Sequence, residues 1–443
     1  MIETIGVGAN LWLVATRLCN FNCSYCYQGE HSWEWQKNAG LSKMISDEVL
    51  EAALPWYLNW AAKESRICWY GGEPLLAWEQ IKRWTPKYKE EMEKIGKTVR
   101  FSVTTNGLLL DAEKRAFLDE YSMGILFSID GSDYVHNNTR VLAGGQPSWD
   151  KIPVKEILAW RPNIEIAWQL SPESNFSIDA LEDMRSLGFN RINFNINSKD
   201  NEWGLEDQAR LSDFIEHAVQ LAIRTKQGTS DKPFYTNWLG RLDTLLTRED
   251  RLDKPCGTGT AMLALTPEGY IFNSQEMAFC AFEPWRAPGT AAYYKVGDIK
   301  NAPVMDQERL EIVCNLNTSQ MKSQFDCAKC HARRVSLGGC HCRYIGQNGI
   351  DPAYRYDVPI GYCQSLKAVI TGALRAAAIE KYIGQKNQAV GNSRTSAAKV
   401  SNSTTMNLPN RPLSIVDLDR KLDKILGILE EDSCGGCPTQ LEV

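Results

Sequence analysis

The sequence predicts an α/β protein in which buried strands alternate with helices, followed by a small, irregular cysteine-rich region and a helical tail. Short apolar runs alternate with longer helical patterns between residues 10 and 226. Seven cysteines, counted from Cys256 to Cys363 without the isolated Cys314, form a second cysteine region. A stretch rich in Asn, Ser, Thr, Gly and Ala precedes the last helical pattern. We therefore expect a first domain at 1–230, a second at 231–383, a flexible linker at 384–413 and a helical tail at 414–443.

The alternation comprises six units, each of which begins with a strand. In the first unit an apolar run leads into a loop with three cysteines, and Ser46 starts a helix with Glu48 near its beginning. We predict strands at 10–18, 66–70, 99–104, 124–129, 164–170 and 191–196, and helices at 46–63, 77–95, 111–121, 177–187 and 206–226. Units of this kind form parallel sheets with the chemistry at the carboxyl ends of the strands.

Composition excludes several classes of function. The chain has 443 residues, 43% of them hydrophobic and 23% charged, and a net charge of −5, so no broad basic surface indicates nucleic acid. No apolar run approaches the length of a membrane span, and the first residues do not resemble a signal peptide. We expect a cytoplasmic protein in which the fourteen cysteines serve metal binding rather than disulfides.

The most informative motif is Cys19, Cys23 and Cys26, in the spacing C-x3-C-x2-C. Three thiolates on one loop can hold three irons of a [4Fe–4S] cube and leave the fourth iron open to a small molecule. The alternative is a zinc or disulfide loop, for which His31 is the only nearby additional ligand. The spacing, with the aromatic Tyr25 before the third cysteine, resembles the radical S-adenosylmethionine (SAM) superfamily.

That resemblance implies a partial (β/α)6 TIM-like barrel with SAM bound to the open iron. It implies reductive cleavage of SAM to a 5′-deoxyadenosyl radical, which abstracts hydrogen from a substrate. The required electron has a low potential, so a flavodoxin- or ferredoxin-type reductant is expected as a partner.

Polar motifs at the predicted strand ends match the family's SAM-binding pattern. Gly71-Gly72-Glu73-Pro74 follows the second strand, where glycines allow close backbone approach and a carboxylate can accept an ammonium group. Each motif alone is also compatible with an ordinary turn. Arg140 could instead form a surface ion pair, and Tyr25 and Tyr27 could instead belong to the core. The residues expected to bind SAM are Tyr25, Gly71, Gly72, Glu73, Pro74, Thr105, Asn106, Ser128, Asp130 and Arg140.

The second cysteine region resembles the SPASM domain, in which auxiliary iron–sulfur clusters follow the barrel. Ser274 and Ser336 stand where that pattern has cysteines. Our preferred assignment is an open auxiliary cluster on Cys256, Cys280 and Cys340 and a closed one on Cys327, Cys330, Cys342 and Cys363. The alternatives are a single cluster or a zinc ribbon.

Two further features bear on activity. Sulfatase-maturing members of the family carry a catalytic aspartate after the second SPASM cysteine; here Gln275 follows Ser274, and Glu276 is the nearest candidate. The tail combines a predicted amphipathic helix with Cys434-Gly435-Gly436-Cys437. We favour a docking helix with a redox or iron-loading cysteine pair over a fused, substrate-like segment.

The sequence therefore predicts a radical SAM enzyme that modifies a ribosomally made peptide or a protein side chain by crosslinking or another oxidation. Formylglycine formation on a sulfatase is an alternative within the same class. A non-catalytic iron–sulfur electron carrier or scaffold is an alternative of another class, but it would not need a SAM pocket.

Overall fold

The computed structural model describes residues 9–28, 40–197, 203–247, 261–282, 289–314 and 360–394. The strands are β1 Asn10–Thr16, β2 Phe21–Cys23, β3 Glu64–Gly71, β4 Thr98–Thr105, β5 Gly124–Ser128, β6 Arg140–Leu142, β7 Glu165–Leu170, β8 Arg191–Ile196, β9 Tyr235–Thr236, β10 Met262–Leu265, β11 Tyr270–Phe272 and β12 Lys295–Asp298. The helices are α1 Asp47–Trp60, α2 Trp78–Lys94, α3 Ala112–Glu120, α4 Asp133–Thr139, α5 Val154–Trp160, α6 Ile178–Leu187, α7 Leu205–Lys226, α8 Asn237–Thr247, α9 Met277–Cys280, α10 Thr290–Tyr294, α11 Gln307–Cys314 and α12 Ile360–Arg394.

Ten strands form one sheet in the order β12-β11-β10-β1-β3-β4-β5-β7-β8-β9. The pairs from β10 through β1 to β9 are parallel, and β10, β11 and β12 pair antiparallel. The predicted α/β class and its parallel core are confirmed, and the architecture is that of a partial TIM-like barrel. The parallel arrangement brings the carboxyl ends of β1, β3, β4, β5 and β7 to one edge, where the polar motifs lie.

Local sequence signals account for the helix starts. The side chains of Ser46, Asp111 and Ser177 accept hydrogen bonds from backbone N–H groups at the beginnings of α1, α3 and α6. The end of α6 is formed by Gly188, whose left-handed conformation has φ of 112°. The core lies between the sheet and its helices and includes the fully buried Trp69, whose indole N–H donates to Thr85 Oγ1 at 3.0 Å.

The first strand is two residues shorter than predicted. It ends at Thr16, because the N–H of Arg17 donates to the carbonyl of Lys43 and the N–H of Leu18 to Thr16 Oγ1, outside the ladder. The sheet also extends past the predicted domain boundary at residue 230. β10 comes from the predicted second domain, yet it pairs with β1 in the register Asn10↔Met262 to Leu13↔Leu265.

The long helix α12 packs along α7. Close approach requires Gly372, because a Cβ there would lie 2.2 Å from the carbonyl oxygen of Ser212. An ion pair of 2.8 Å between Arg224 and the buried Glu380 joins the two helices. The helix continues to Arg394, so the prediction of a flexible linker was wrong for residues 384–394.

Several predictions lie outside the described residues. They concern His31, Cys256, Cys327, Cys330, Cys340 and Cys342, and the tail at 414–443 with Cys434 and Cys437. Among the helices that the structure does describe, none is both long and apolar enough to cross a membrane.

Candidate active site

The three N-terminal cysteines lie on a short loop at the carboxyl edge of the sheet. The sulfur of Cys19 accepts the N–H of Phe21 at 3.4 Å, and the sulfur of Cys26 accepts the N–H of Gln28 at 3.3 Å. Cys23 belongs to β2, which pairs antiparallel with β6 in the register Cys23↔Arg140. Backbone N–H groups and a second strand therefore fix the directions of the sulfurs.

The electrostatics of this loop suit a positively charged group bound by the sulfurs. Burial, followed by the charge of Glu73, raises the pKa of the Cys19 thiol well above its usual range. Burial also raises the pKa of Cys23 to about 12, against the lowering effect of Arg140. Within the described ranges, no three His, Cys, Asp or Glu side chains converge as the ligands of a single metal ion do. A cube instead needs one thiolate at each of three separate irons, and three cysteine thiols on one loop are the donor set for such a [4Fe–4S] cluster.

The Gly71–Pro74 turn packs directly on the entrance of the cysteine loop. A Cβ on Gly71, whose φ is 139°, would lie 2.1 Å from the carbonyl oxygen of Thr16, and a Cβ on Gly72 would lie 2.1 Å from that of Leu18. The N–H of Gly72 donates to Thr16 and that of Glu73 to Leu18, at 2.9 and 2.8 Å. Only glycine permits this approach of two backbones, which fixes the turn against the cysteines.

Glu73 is buried and connects this turn to the end of β4. Its carboxylate accepts hydrogen bonds from Thr105 Oγ1 at 2.8 Å and from the N–H groups of Asn106 and Leu75 at 2.8 and 3.1 Å. Burial raises the pKa of Glu73 to about 7, although these three hydrogen bonds oppose the shift. The side chain therefore has a positioning function independent of any ligand.

Asn106 extends the connection to the cysteine loop. Its amide Nδ2 donates to Asn20 Oδ1 at 2.7 Å and lies 4.0 Å from the sulfur of Cys19. The next residue, Gly107, has φ of 80°, and a Cβ there would lie 2.5 Å from the ring of Phe127. The Thr-Asn-Gly sequence thus forms a tight turn beside the first cysteine.

Asp130, fully buried at the end of β5, is the centre of a second network. One carboxylate oxygen accepts the N–H of Gln169 at 2.8 Å. The other accepts the hydroxyls of Thr139, at 3.0 Å, and of Tyr25, and it lies 3.0 Å from Arg140 Nε. This network joins Tyr25 of the cysteine loop to residues that follow the strand ends. The guanidinium of Arg140 is buried rather than part of a surface ion pair.

A pair of tyrosines bridges the cysteine loop and the turn. The hydroxyls of Tyr27 and Tyr70 lie 2.6 Å apart, and the Tyr70 ring packs edge-on against Trp12 with centroids 4.9 Å apart. Both rings contact Phe279 of α9. Sequence reasoning missed Tyr70, although its place directly before Gly71 was a usable signal.

Arg17 is a further residue that sequence reasoning missed. Its fully buried guanidinium pairs with Glu268 at 3.0 Å and donates to the carbonyl of Ala278 at 3.0 Å. Glu268 also accepts the N–H of Ser42 at 2.7 Å. These contacts join the cysteine loop to the β10–β11 turn, which lies 251 residues further along the chain.

The remaining predicted residues lie on several elements. Ser128 is the half-buried last residue of β5, and Pro74 is buried at the start of a short 3₁₀ helix after Gly72. Glu276 directly precedes α9. Burial is the main cause that raises the pKa of Tyr27 and of Tyr70, and the charge of Glu276 adds a smaller contribution to both. Of the auxiliary-cluster candidates, Cys280 is buried in α9, and Cys363 lies in the first turn of α12.

Comparison with known proteins agrees with this geometry. A family model for the radical SAM superfamily matches residues 13–152, the span that holds the three cysteines, the glycine turn and the Asp130 network. Residues 13–152 therefore form a radical SAM domain, and the chain is an enzyme whose cofactors are a [4Fe–4S] cluster and SAM.

Its relatives include anaerobic sulfatase-maturating enzymes. The cysteine-type enzyme of Clostridium perfringens strain 13 is 24% identical over 378 residues, which cover 79% of this chain and 91% of the relative. The serine-type enzyme of Bacteroides thetaiotaomicron is 32% identical over 141 residues, 30% of this chain and 32% of the relative. The solved structure described as native anSMEcpe with bound AdoMet has a TM-score of 0.64 at 20% identity and covers 84% of this chain and 98% of its own. That likeness establishes the shared fold.

Proposed function

We propose that this enzyme abstracts hydrogen from a side chain of a ribosomally made peptide or a protein, and that a crosslink or another oxidation follows. The observation that carries the proposal is the convergence of Cys19, Cys23 and Cys26 with the Gly71–Pro74 turn at one edge of the sheet. Similarity to a protein-modifying relative over 91% of that relative's length supports the class of substrate.

In this proposal Cys19, Cys23 and Cys26 hold the SAM-binding cluster. The bound cluster and SAM supply the one-electron chemistry that generates a hydrogen-abstracting radical. The chain's own residues bind and orient SAM: Tyr25, Gly71, Gly72, Glu73, Pro74, Thr105, Asn106, Ser128, Asp130 and Arg140. We assign the amino group of SAM to the Gly71–Pro74 turn, because the turn lies directly beside the loop of the open iron.

We assign Glu276 as the group that accepts a proton from the substrate during oxidation, because it is the carboxylate nearest in sequence to the position after the second SPASM cysteine. The auxiliary clusters remain as proposed from the sequence. Cys256, Cys280 and Cys340 would hold the open cluster, and Cys327, Cys330, Cys342 and Cys363 the closed one. A flavodoxin- or ferredoxin-type protein would supply the electron, in a cytoplasmic setting that keeps the thiols reduced.

Anaerobic reconstitution tests this function. The enzyme is incubated with SAM, dithionite and a library of Cys-, Ser- and aromatic-containing peptides, and 5′-deoxyadenosine and peptide masses are measured. We expect 5′-deoxyadenosine from the wild type and none from a Cys19→Ala, Cys23→Ala, Cys26→Ala triple variant that retains its auxiliary iron. Absence of the product from a fully loaded wild type would favour an electron carrier.

Formylglycine formation is the second candidate, and the name and near-complete coverage of the Clostridium perfringens relative favour it. Gln275 and Glu276, in place of an aspartate beside the second SPASM cysteine, argue against it. Mass spectrometry separates the two reactions. A crosslink removes one molecule of hydrogen from the peptide, whereas formylglycine formation creates an aldehyde that a carbonyl-reactive probe captures. Glu276→Gln should lower the yield of either product while leaving the affinity for SAM unchanged.

A further inference from the structure

We infer that Arg140, held in place by Asp130, raises the reduction potential of the cluster bound by Cys19, Cys23 and Cys26. This inference rests on the proposed location of that cluster. It assigns to Arg140 an electrostatic function in the SAM-free enzyme, separate from any contact with SAM.

Backbone pairing fixes the position of the arginine relative to the cysteine. Because β2 and β6 pair in the register Cys23↔Arg140, the two residues face each other across the ladder. Arg140 Nη1 lies 4.0 Å from the sulfur of Cys23, and the guanidinium lies over the Tyr25 ring, with its carbon 5.3 Å from the ring centroid. The side chain is buried, so water screens its charge only weakly.

The contacts of Asp130 explain why its negative charge does not abolish this effect. The carboxylate also accepts hydrogen bonds from Thr139 Oγ1, the N–H of Gln169 and the Tyr25 hydroxyl, which spread its charge over several donors. Its ion pair with Arg140 is made at Nε, whereas the contact with the Cys23 sulfur is made at Nη1. Asp130 therefore holds the guanidinium while leaving the terminal nitrogen directed toward the sulfur.

Reduction of the cluster adds one electron, supplied by a low-potential iron–sulfur or flavin reductant, and needs no proton or bond change. A positive charge and an N–H group beside a ligand sulfur stabilise the more negative, reduced state, since net charge and hydrogen bonds to sulfur set cluster potentials. Removal of the guanidinium should therefore make the cluster harder to reduce.

The test is a redox titration of anaerobically loaded full-length enzyme without SAM, monitored by electron paramagnetic resonance. The relevant signal is the one that disappears in the Cys19→Ala, Cys23→Ala, Cys26→Ala variant. For Arg140→Met we expect the ratio of reduced to oxidised cluster at a fixed potential to fall about tenfold, which corresponds to 59 mV for one electron. Arg83→Met, which removes an exposed cation on α2, is the matched control and should leave the ratio unchanged.

Arg140→Lys and Arg140→Gln complete the design. Because lysine keeps the positive charge, the Arg140→Lys variant should have a higher fraction of reduced cluster than the Arg140→Gln variant at the same iron content. This comparison tests the inference even if Arg140→Met fails to load a cluster. Equal fractions in these two variants, or a higher KM for SAM with an unchanged potential, would overturn the inference. A wild type that loads no cluster on the three cysteines would instead refute the proposed function.

Discussion

The ion pair between Arg17 and Glu268 should be a major determinant of stability around the cysteine loop. Glu268→Gln keeps the size of the side chain and an acceptor for the N–H of Ser42, but it leaves the guanidinium of Arg17 without its counter-charge. The arginine is fully buried, and its other neighbours, the carbonyl of Ala278 and the rings of Phe279 and Phe282, carry no compensating negative charge. Removal of one partner of a buried ion pair costs about 3–5 kcal/mol.

Calorimetric unfolding of the anaerobic protein at matched iron content measures this effect. At about 2 °C per kcal/mol, the lower end for large domains, the midpoint should fall by about 6–10 °C. Arg17→Met should also destabilise the protein, and the double variant Arg17→Met, Glu268→Leu should lose much less than the sum of the single changes, because it leaves no buried charge. Glu113→Gln, in an exposed pair with Lys82, is the control and should not shift the midpoint measurably.

A midpoint for Glu268→Gln within about 2 °C of the wild type, equivalent to about 1 kcal/mol, would refute this reasoning.

The ion pair between Arg17 and Glu268 also predicts that stability depends on pH. Burial alone would raise the pKa of Glu268, but the charge of Arg17 and hydrogen bonds outweigh it and hold the pKa below the ordinary value of 4.5. The stabilisation is therefore present above pH 4.5 and is lost as the pH falls through the folded-state pKa. The difference between wild type and Glu268→Gln should shrink over that acidic range.

Two glycine substitutions test close backbone contacts. Gly72→Ala should abolish loading of the SAM-binding cluster, because the added Cβ would lie 2.1 Å from the carbonyl oxygen of Leu18. Iron content and the absorption spectrum measure the loading, and wild-type values for both would contradict the prediction. Gly372→Ala should lower the thermal midpoint and expose α12 to proteolysis, since its Cβ would lie 2.2 Å from the carbonyl oxygen of Ser212. Gly240→Ala, in α8 with open space around its Cβ, is the control for both and should be neutral or stabilising. Equal behaviour of the Gly372 and Gly240 variants would argue against tight α7–α12 packing.

The six strands and five helices that the sequence predicted lie within a few residues of their observed bounds, because their signals are local. The short elements β2, β6, α4 and α5 were not predicted. Apolar runs mark buried strands, and Ser46 and Ser177 provide the side-chain oxygens that start two helices. The strand-end motifs were found for the same reason, since a parallel sheet places the carboxyl ends of neighbouring strands together. The Asp130 network, which joins Tyr25 to Arg140, follows from that topology.

Features that depend on distant residues could not be predicted in this way. Nothing near Arg17 indicates that its counter-charge is Glu268, and nothing near residues 262–265 indicates that they pair with β1 rather than forming a separate domain. The error at 384–394 has another physical cause. Asn, Ser and Gly favour a linker by composition, whereas the structure continues the helix that packs on α7.

The place of β10 beside β1 has a consequence for synthesis of the protein. While the ribosome is still making the middle of the chain, β1 has only β3 available as a neighbour, and its other side is an unpaired apolar edge immediately before Cys19. Emergence of residues 262–265 covers that edge. We therefore expect truncated translation products that end before β10 to aggregate, and iron insertion to follow release of most of the chain.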